Sequence, residues 1–390
     1  MKASHRALAA TVAAVGTLVG SIVAAAPTVA APTISTVIPG LNAPRGVAFD
    51  QQGSMYVSEA GVIGQAPQPG LTHSGRVSMY PQGSTTAAWQ TGFESFYVSE
   101  APGAPPDVLG PSGISAVGNG CMKNSPGQRM GCQVLMIMGE SHDGISADTG
   151  GAINTQQMGH LFRLNGASGA ASSRSDFGDQ MYAWTGARKD LFPSDFPDSN
   201  PYGVLVTKSA GGGTRTFVAD AGANTISEIM PDGTARVIAY IPNETAPPFR
   251  DATPTCIAQG PDGMLYVATL HFLQLIALGQ VGGADVWRVN PNANYPTAPT
   301  LWATGLTTAT ACTFDRSGNF WATEMFQPTS GAPGDLVRIP FAHPNQLTHI
   351  GAGMLPLPGG IAQGPDGAMY VSVNSSSPVP GSGAIVRVSG

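Results

Sequence analysis

The amino-acid sequence predicts an all-β fold: a six-bladed β-propeller with four antiparallel strands per blade, the last blade closed by a strand from the N-terminal end of the chain. Three observations lead there. A strand–turn–strand phrase recurs along the chain, most clearly as CIAQGPDGMLYVAT at 256–269 and GIAQGPDGAMYVSV at 360–373. Later copies lie about fifty residues apart, the length of one propeller blade. Short apolar runs closed by Gly-bearing turns are frequent, and no stretch has a convincing helical period. With Gly 51 and Pro 33 the chain is rich in turns, yet 42% hydrophobic residues leave ample material for a core, which excludes a disordered chain.

In chain order, residues 1–30 carry Lys2 and Arg6, an apolar run from Ala7 to Ala26, and small residues up to Ala30. That is the pattern of a secretory signal peptide; its Ala/Gly-rich run suits a membrane anchor less well. The expected mature chain is a single domain over 31–390, soluble outside the cytoplasm and monomeric, with no membrane span left once the leader is removed. Lys2 and Arg6 leave with that segment, so the net charge moves from −6 to −8. A chain this acidic makes nucleic acid and anionic membrane poor partners.

The mature chain opens on an orphan strand, TISTVIPG (33–40), and the phrase then begins with GVAFDQQGSMYVSE (46–59). Degraded copies follow at 114–139 and 202–220, and clear ones at 256–269, 312–324 and 360–373. Their aromatic or apolar couplets give a ruler: Tyr56, Leu135, Phe217, Tyr266, Trp321 and Tyr370. The Gly of each turn supplies a positive-φ position, and the couplet is expected to pack between blades. Third strands follow as GRVSMY, HLFRL, NTISEIM, ADVWRV, GDLVRI and GAIVRV, and fourth strands as TTAAWQTG, ARVIAYI and TLWATGL. The last copy stops after its third strand, so the orphan strand supplies the missing fourth. Cys121 and Cys132 enclose a polar loop and are expected to pair, while Cys256 and Cys312, in neighbouring repeats, could bridge or stay as buried thiols. No Cys/His spacing indicates zinc.

The segments NAPRGVAF…MYVSEAG (42–61), DSNPYGV (198–204), FVADAGANTI (217–226) and the closing GGIAQGPDGAMYVSVNSSSP resemble the ScyD/ScyE family of exported proteins over essentially the whole mature chain. The resemblance implies a six-bladed propeller with NHL-like repeats and carries no activity with it. Residues 121–132 and LHFLQLIALGQ (270–280) depart from the family pattern.

Propeller geometry places the loop entering each innermost strand and the loop leaving each second strand on one face, around the channel mouth. The register position after the couplets reads Glu59, Met138, Asp220, Thr269, Glu324 and Val373. Three carboxylates at one register, Glu59, Asp220 and Glu324, suggest an oxygen-rich metal site of the Ca²⁺ type; the plainer reading is that they accept hydrogen bonds from loop amides or pair with Arg45. Arg45, Asp198, Asn200, Asn224, His271 and Asn374 are the candidate ligand-binding residues of the same mouth. In DSNPYG, Asp198 and Asn200 could equally make Asx-turns ahead of Pro201. His142 beside Asp143 makes no triad, and no nucleophile elbow, Walker loop, HExxH or dinucleotide fingerprint is present. Asn243 and Asn374 begin glycosylation sequons.

Two functions remain. The first is a binding scaffold whose mouth takes a small molecule, a glycan or a protein, with the loop insertions and the apolar 270–280 segment as lid or contact surface. The second is a Ca²⁺-dependent hydrolase or lactonase built on Glu59, Asp220 and Glu324, similar to gluconolactonase-type propellers, for which the sequence offers no clear base.

Overall fold

In the computed structural model, the described residues are 31–64, 70–98, 107–117, 133–192, 197–209, 213–243, 252–295, 297–327 and 331–390. The expected leader and the expected Cys121–Cys132 pair lie outside them. Blade one comprises β2 (Pro44–Phe49), β3 (Met55–Glu59), β4 (Gly70–Tyr80), β5 (Trp89–Val98) and a short fifth strand β6 (Asp107–Leu109), after the opening strand β1 (Thr33–Leu41). Blade two is β7 (Pro111–Val117), β8 (Gln133–Met138), β9 (His160–Leu164) and β10 (Ala171–Asp176); blade three is β11 (Pro201–Lys208), β12 (Thr214–Asp220), β13 (Thr225–Ile229) and β14 (Ala235–Tyr240). Blade four is β15 (Pro254–Gln259), β16 (Leu265–Thr269), β17 (Ala284–Val289) and β18 (Thr300–Leu306); blade five is β19 (Ala309–Phe314), β20 (Phe320–Glu324), β21 (Gly334–Ile339) and β22 (Thr348–Leu355). Blade six is β23 (Ile361–Gln363), β24 (Met369–Val373), β25 (Gly383–Ser389) and β1, which pairs antiparallel with β25 from Thr33↔Ser389 to Leu41↔Gly383. The orphan strand therefore closes the ring.

The repeated phrase has a physical reason beyond its turn. Gly53, Gly263, Gly318 and Gly367 hold φ of 81°, 77°, 83° and 86°, where a side chain would be strained. The Asp of the same turn then bonds the couplet aromatic: Tyr56 to Asp50 at 3.2 Å, Tyr266 to Asp262 at 3.1 Å, Tyr370 to Asp366 at 3.4 Å, and the Trp321 indole to Asp315 at 2.8 Å. The rings thereby bury their bodies between blades while the polar tip stays satisfied. Tyr56 packs with Val134 and Met136 of the next blade, and Tyr266 with Phe320 and Val337.

Three helices depart from the sequence expectation. These are α1 (His142–Asp148), α2 (Phe177–Ala187) and α3 (Phe272–Leu278). Local signals explain them: Ser141 caps α1 by accepting the Gly144 amide, Phe177 and Met181 bury one turn apart on α2, and Gly279 ends α3 in a left-handed conformation. Each is too short for a periodic pattern to stand out from the strands around it. All three lie in connections that either leave a second strand or enter an innermost one, so they decorate the same face of the disc.

Cys256 on β15 and Cys312 on β19 form a disulfide with a Cα separation of 5.6 Å, joining the inner strands of blades four and five. The bridge closes a loop of 56 residues. Replacing both cysteines by Ser should lower unfolding stability by about 2–4 kcal/mol, read as a drop in denaturant midpoint together with a steeper slope, since the denatured chain loses its cross-link and expands.

Candidate functional site

The six inner strands crowd the axis. A Cβ on Gly113 would stand 2.5 Å from the Tyr202 carbonyl, and one on Gly203 2.8 Å from that of Thr255, so only Gly admits this approach. What is left is a cavity of about 70 Å³ touched by all six blades, with Val47, Ile114, Val204 and the Cys256–Cys312 bridge in its wall. Arg45 sits at its edge, buried, donating to Asp107 at 2.7 Å, to the Val108 carbonyl at 3.0 Å and to the Ser376 hydroxyl at 3.2 Å. The channel is a narrow seam, which leaves the rim as the candidate site.

One hydrogen bond recurs around that rim. The residue entering each inner strand offers its carbonyl to the amide just beyond the second strand: Ala43 to Ala60, Gly110 to Gly139, Asn200 to Ala221, Thr253 to Leu270, Thr308 to Met325 and Leu357 to Ser375, at 2.9 to 3.0 Å. Ala43, Thr253, Thr308 and Leu357 adopt positive φ of 40–49° to do so, a conformation that non-Gly side chains resist.

This clasp explains the carboxylates at one register. Glu59 accepts the Asn42 amide at 2.8 Å, Asp220 the Asn200 amide at 2.9 Å, and Glu324 the Thr307 amide, so each staples the loop entering its own blade. All three are fully buried. Glu59 is further held by Arg76 through bonds of 2.5 and 2.8 Å. Asp220 also accepts from Ser199 Oγ and from the Gly222 and Ala223 amides, although burial outweighs these donors and pushes its carboxyl up to about 6. Among the described residues, one group of three has ligand atoms close enough for a single ion, namely Glu324, Asp335 and His349. Of the three expected metal carboxylates, the structure brings only Glu324 into such a group.

In that group Glu324 ends β20, Asp335 faces it directly across the β20–β21 ladder, and His349 lies on β22 beside Val337. His349 Nδ1 is 2.8 Å from Asp335 Oδ2 and 3.4 Å from Glu324 Oε2. Burial pushes the Asp335 carboxyl up to about 7, against the pull of His349 and with a further push from Glu324; the two acids raise His349 to about 10.

The expected ligand-binding residues spread around the same face. Asn224 bonds the Asn243 side chain at 2.7 Å and the Thr253 amide at 2.9 Å, tying blade three to blade four. Asn374 reaches the Ser382 carbonyl at 2.8 Å, and His271 is buried at the start of α3. Asn200 accepts the Glu140 amide at 3.2 Å, and Asp198 is exposed beside Gly222. Here the structure adds Glu140, whose carboxyl is held well above its usual range by burial first, then by Asp198 and Asp220. Burial raises the Tyr182 hydroxyl on α2, and the surrounding acids Asp148, Asp143, Asp198 and Glu140 push it further. Glu140, Asp335 and His349 escaped sequence reading because none occupies the couplet register; the one available signal was an acid in the third strand of blade five, in GDLVRI, where blade one has Arg76 in GRVSMY.

No protein-family model matches the chain, and no curated protein matches it. Solved structures with the same fold include a glucose dehydrogenase (12% identity, 92% of this chain and 99% of that one, TM-score 0.52) and the PQQ-bound aldose sugar dehydrogenase of Streptomyces coelicolor (12%, 92% and 98%, 0.51). A calcium-binding regucalcin from Agrobacterium tumefaciens is also similar (13%, 91% and 93%, 0.46). The chain thus shares its propeller fold with these sugar dehydrogenases, and identities this low speak to fold alone.

Removing Arg76 leaves Glu59 as an unpaired buried charge. Arg76→Met should cost about 3 kcal/mol or more by urea unfolding, and the double variant Glu59→Gln/Arg76→Met less than the sum of the two singles.

Proposed function

We propose that this protein is an exported, ScyD/ScyE-like binding scaffold that takes a small hydroxyl-rich molecule, of the sugar or glycan type, on the rim of blades two and three. The observation that carries this reading is the meeting of Glu140, Asp198 and Tyr182 beside Asn200 on the loop face. Glu140, its carboxyl held well above the usual range by burial and by Asp198, stands with exposed Asp198 and with the half-buried Tyr182, a mix of polar and aromatic groups of the kind that a sugar requires. These acids feel one another yet form no compact group for a single ion. The cavity on the axis is too small for a substrate, which favours a surface ligand.

The alternative, a Ca²⁺-dependent hydrolase or lactonase using Glu59, Asp220 and Glu324, has less support. Ca²⁺ takes six to eight oxygens, and these carboxylates are engaged in separate blades by loop amides, Arg76 and Ser199. Export agrees with the Cys256–Cys312 bridge, and among the described residues no helix is long and apolar enough to cross a membrane.

The test is calorimetry and thermal shift with mono- and disaccharides and sugar acids, beside turnover assays on δ-lactones and aryl esters with and without Ca²⁺. A sugar should bind wild type, and Asp198→Asn or Tyr182→Ala should weaken it at least about tenfold. Lactone hydrolysis that needs Ca²⁺ and is lost in Glu324→Gln would move the assignment to the hydrolase.

A further inference from the structure

We infer that blade five carries a binding site for a first-row divalent ion of the Zn²⁺ class, with His349 Nδ1, Asp335 and Glu324 as its protein ligands. The site is separate from the rim of blades two and three.

Comparison within the ring carries the argument. The position facing the second-strand acid is Arg76 in blade one, which neutralises buried Glu59 through two hydrogen bonds. In blade five the same position is Asp335, so two fully buried carboxylates face each other. Such a pair is costly unless positive charge is supplied from nearby. Gln327 brings only an amide to Glu324, at 2.9 Å, and the remaining positive group is the single imidazole of His349. A divalent ion bound by two carboxylates and a neutral imidazole balances the charge.

A second observation points the same way. Asp335 is fully buried, and its Oδ1 has no hydrogen-bond partner. A buried carboxylate oxygen without a donor calls for an explanation, and an ion held between the two facing acids supplies one. The spacing of the three side chains suits a single ion. Ligands bonded at about 2.0–2.1 Å to an octahedral or tetrahedral ion stand roughly 2.8–3.4 Å apart; Nδ1 lies 2.8 and 3.4 Å from the two carboxylate oxygens, and the ligand atoms of the three residues all lie within 4.8 Å of one another.

The donor set selects the ion. One imidazole nitrogen with two carboxylates suits Zn²⁺, Co²⁺ or Mn²⁺, whereas Ca²⁺ requires many more oxygens and no nitrogen. Three protein ligands leave at least one coordination position for water, reached from the side where the His349 side chain is 37% exposed. Bound there, the ion would join the second, third and fourth strands of blade five and, through the Thr307 amide on Glu324, the loop that enters the blade.

Purified untagged protein, stripped with chelator, is titrated with Zn²⁺ and with Ca²⁺ by calorimetry, and loaded with Co²⁺ for absorption spectroscopy. The expected result is one equivalent of Zn²⁺ and visible Co²⁺ bands from a nitrogen-and-oxygen site. Binding should fall by at least about tenfold in His349→Ala and in Asp335→Asn, since each removes a ligand, and stay unchanged in His160→Ala, which removes the histidine near Asp176 instead. Melting curves establish that each variant is folded, and His349→Gln serves if His349→Ala is not. Zn²⁺ binding that is substoichiometric, that survives His349→Ala in folded protein, or that Ca²⁺ displaces, overturns the site.

Discussion

The structure hangs on a hydrogen bond repeated six times: the carbonyl of the residue entering each inner strand accepts the amide just beyond the second strand. A propeller blade cannot bury both faces alone, so its stability depends on how it is delivered to its neighbours. This clasp fixes the delivery angle at the mouth. Four blades hold a non-Gly residue at positive φ to make it, a cost that the surrounding packing has to offset. Where the second strand ends in Glu or Asp, the side chain adds a second bond to the same loop, and the three acids read as reinforcements of the clasp.

A rim held in this way leaves its loops free to vary. All three helices grow from connections on this face, and the opposite face retains the tight Asp–Gly turns that lock the couplet aromatics. On α3, Ile276 and Leu278 stand more than half exposed, while Leu275 and the flanking His271 are buried, so this segment is attached to the disc by one side only. The inner strands meanwhile close so tightly on Gly113 and Gly203 that the axis serves packing more than binding.

Buried charge is handled differently from blade to blade. Blade one answers Glu59 with a bidentate arginine, a fixed partner that keeps its charge at all ordinary pH. Blade three surrounds Asp220 with a hydroxyl and three backbone amides. Blade five sets acid against acid and brings in a histidine from the outermost strand, an arrangement whose charge depends on what occupies it. The same structural position therefore has three electrostatic solutions.

The sequence by itself determined the all-β class, the six repeats and the closure by residues 33–40, because each rests on local signals: alternating apolar residues, a Gly that alone tolerates the turn, and a strand count that comes out one short at one end. It also placed Arg45, Asp198, Asn200, Asn224, His271 and Asn374 on one face, since topology dictates which loops share a side. It left the Cys256–Cys312 pairing open, and it passed over three helices whose caps and single buried turns are too short to register as a period. Only the tertiary structure decided which charges meet. Asp335 and His349 come from strands that a linear register does not compare, and Glu140 lies two residues beyond the position being read. Proximity across strands and loss of solvent arise when the chain closes on itself, and no spacing within the chain encodes them directly.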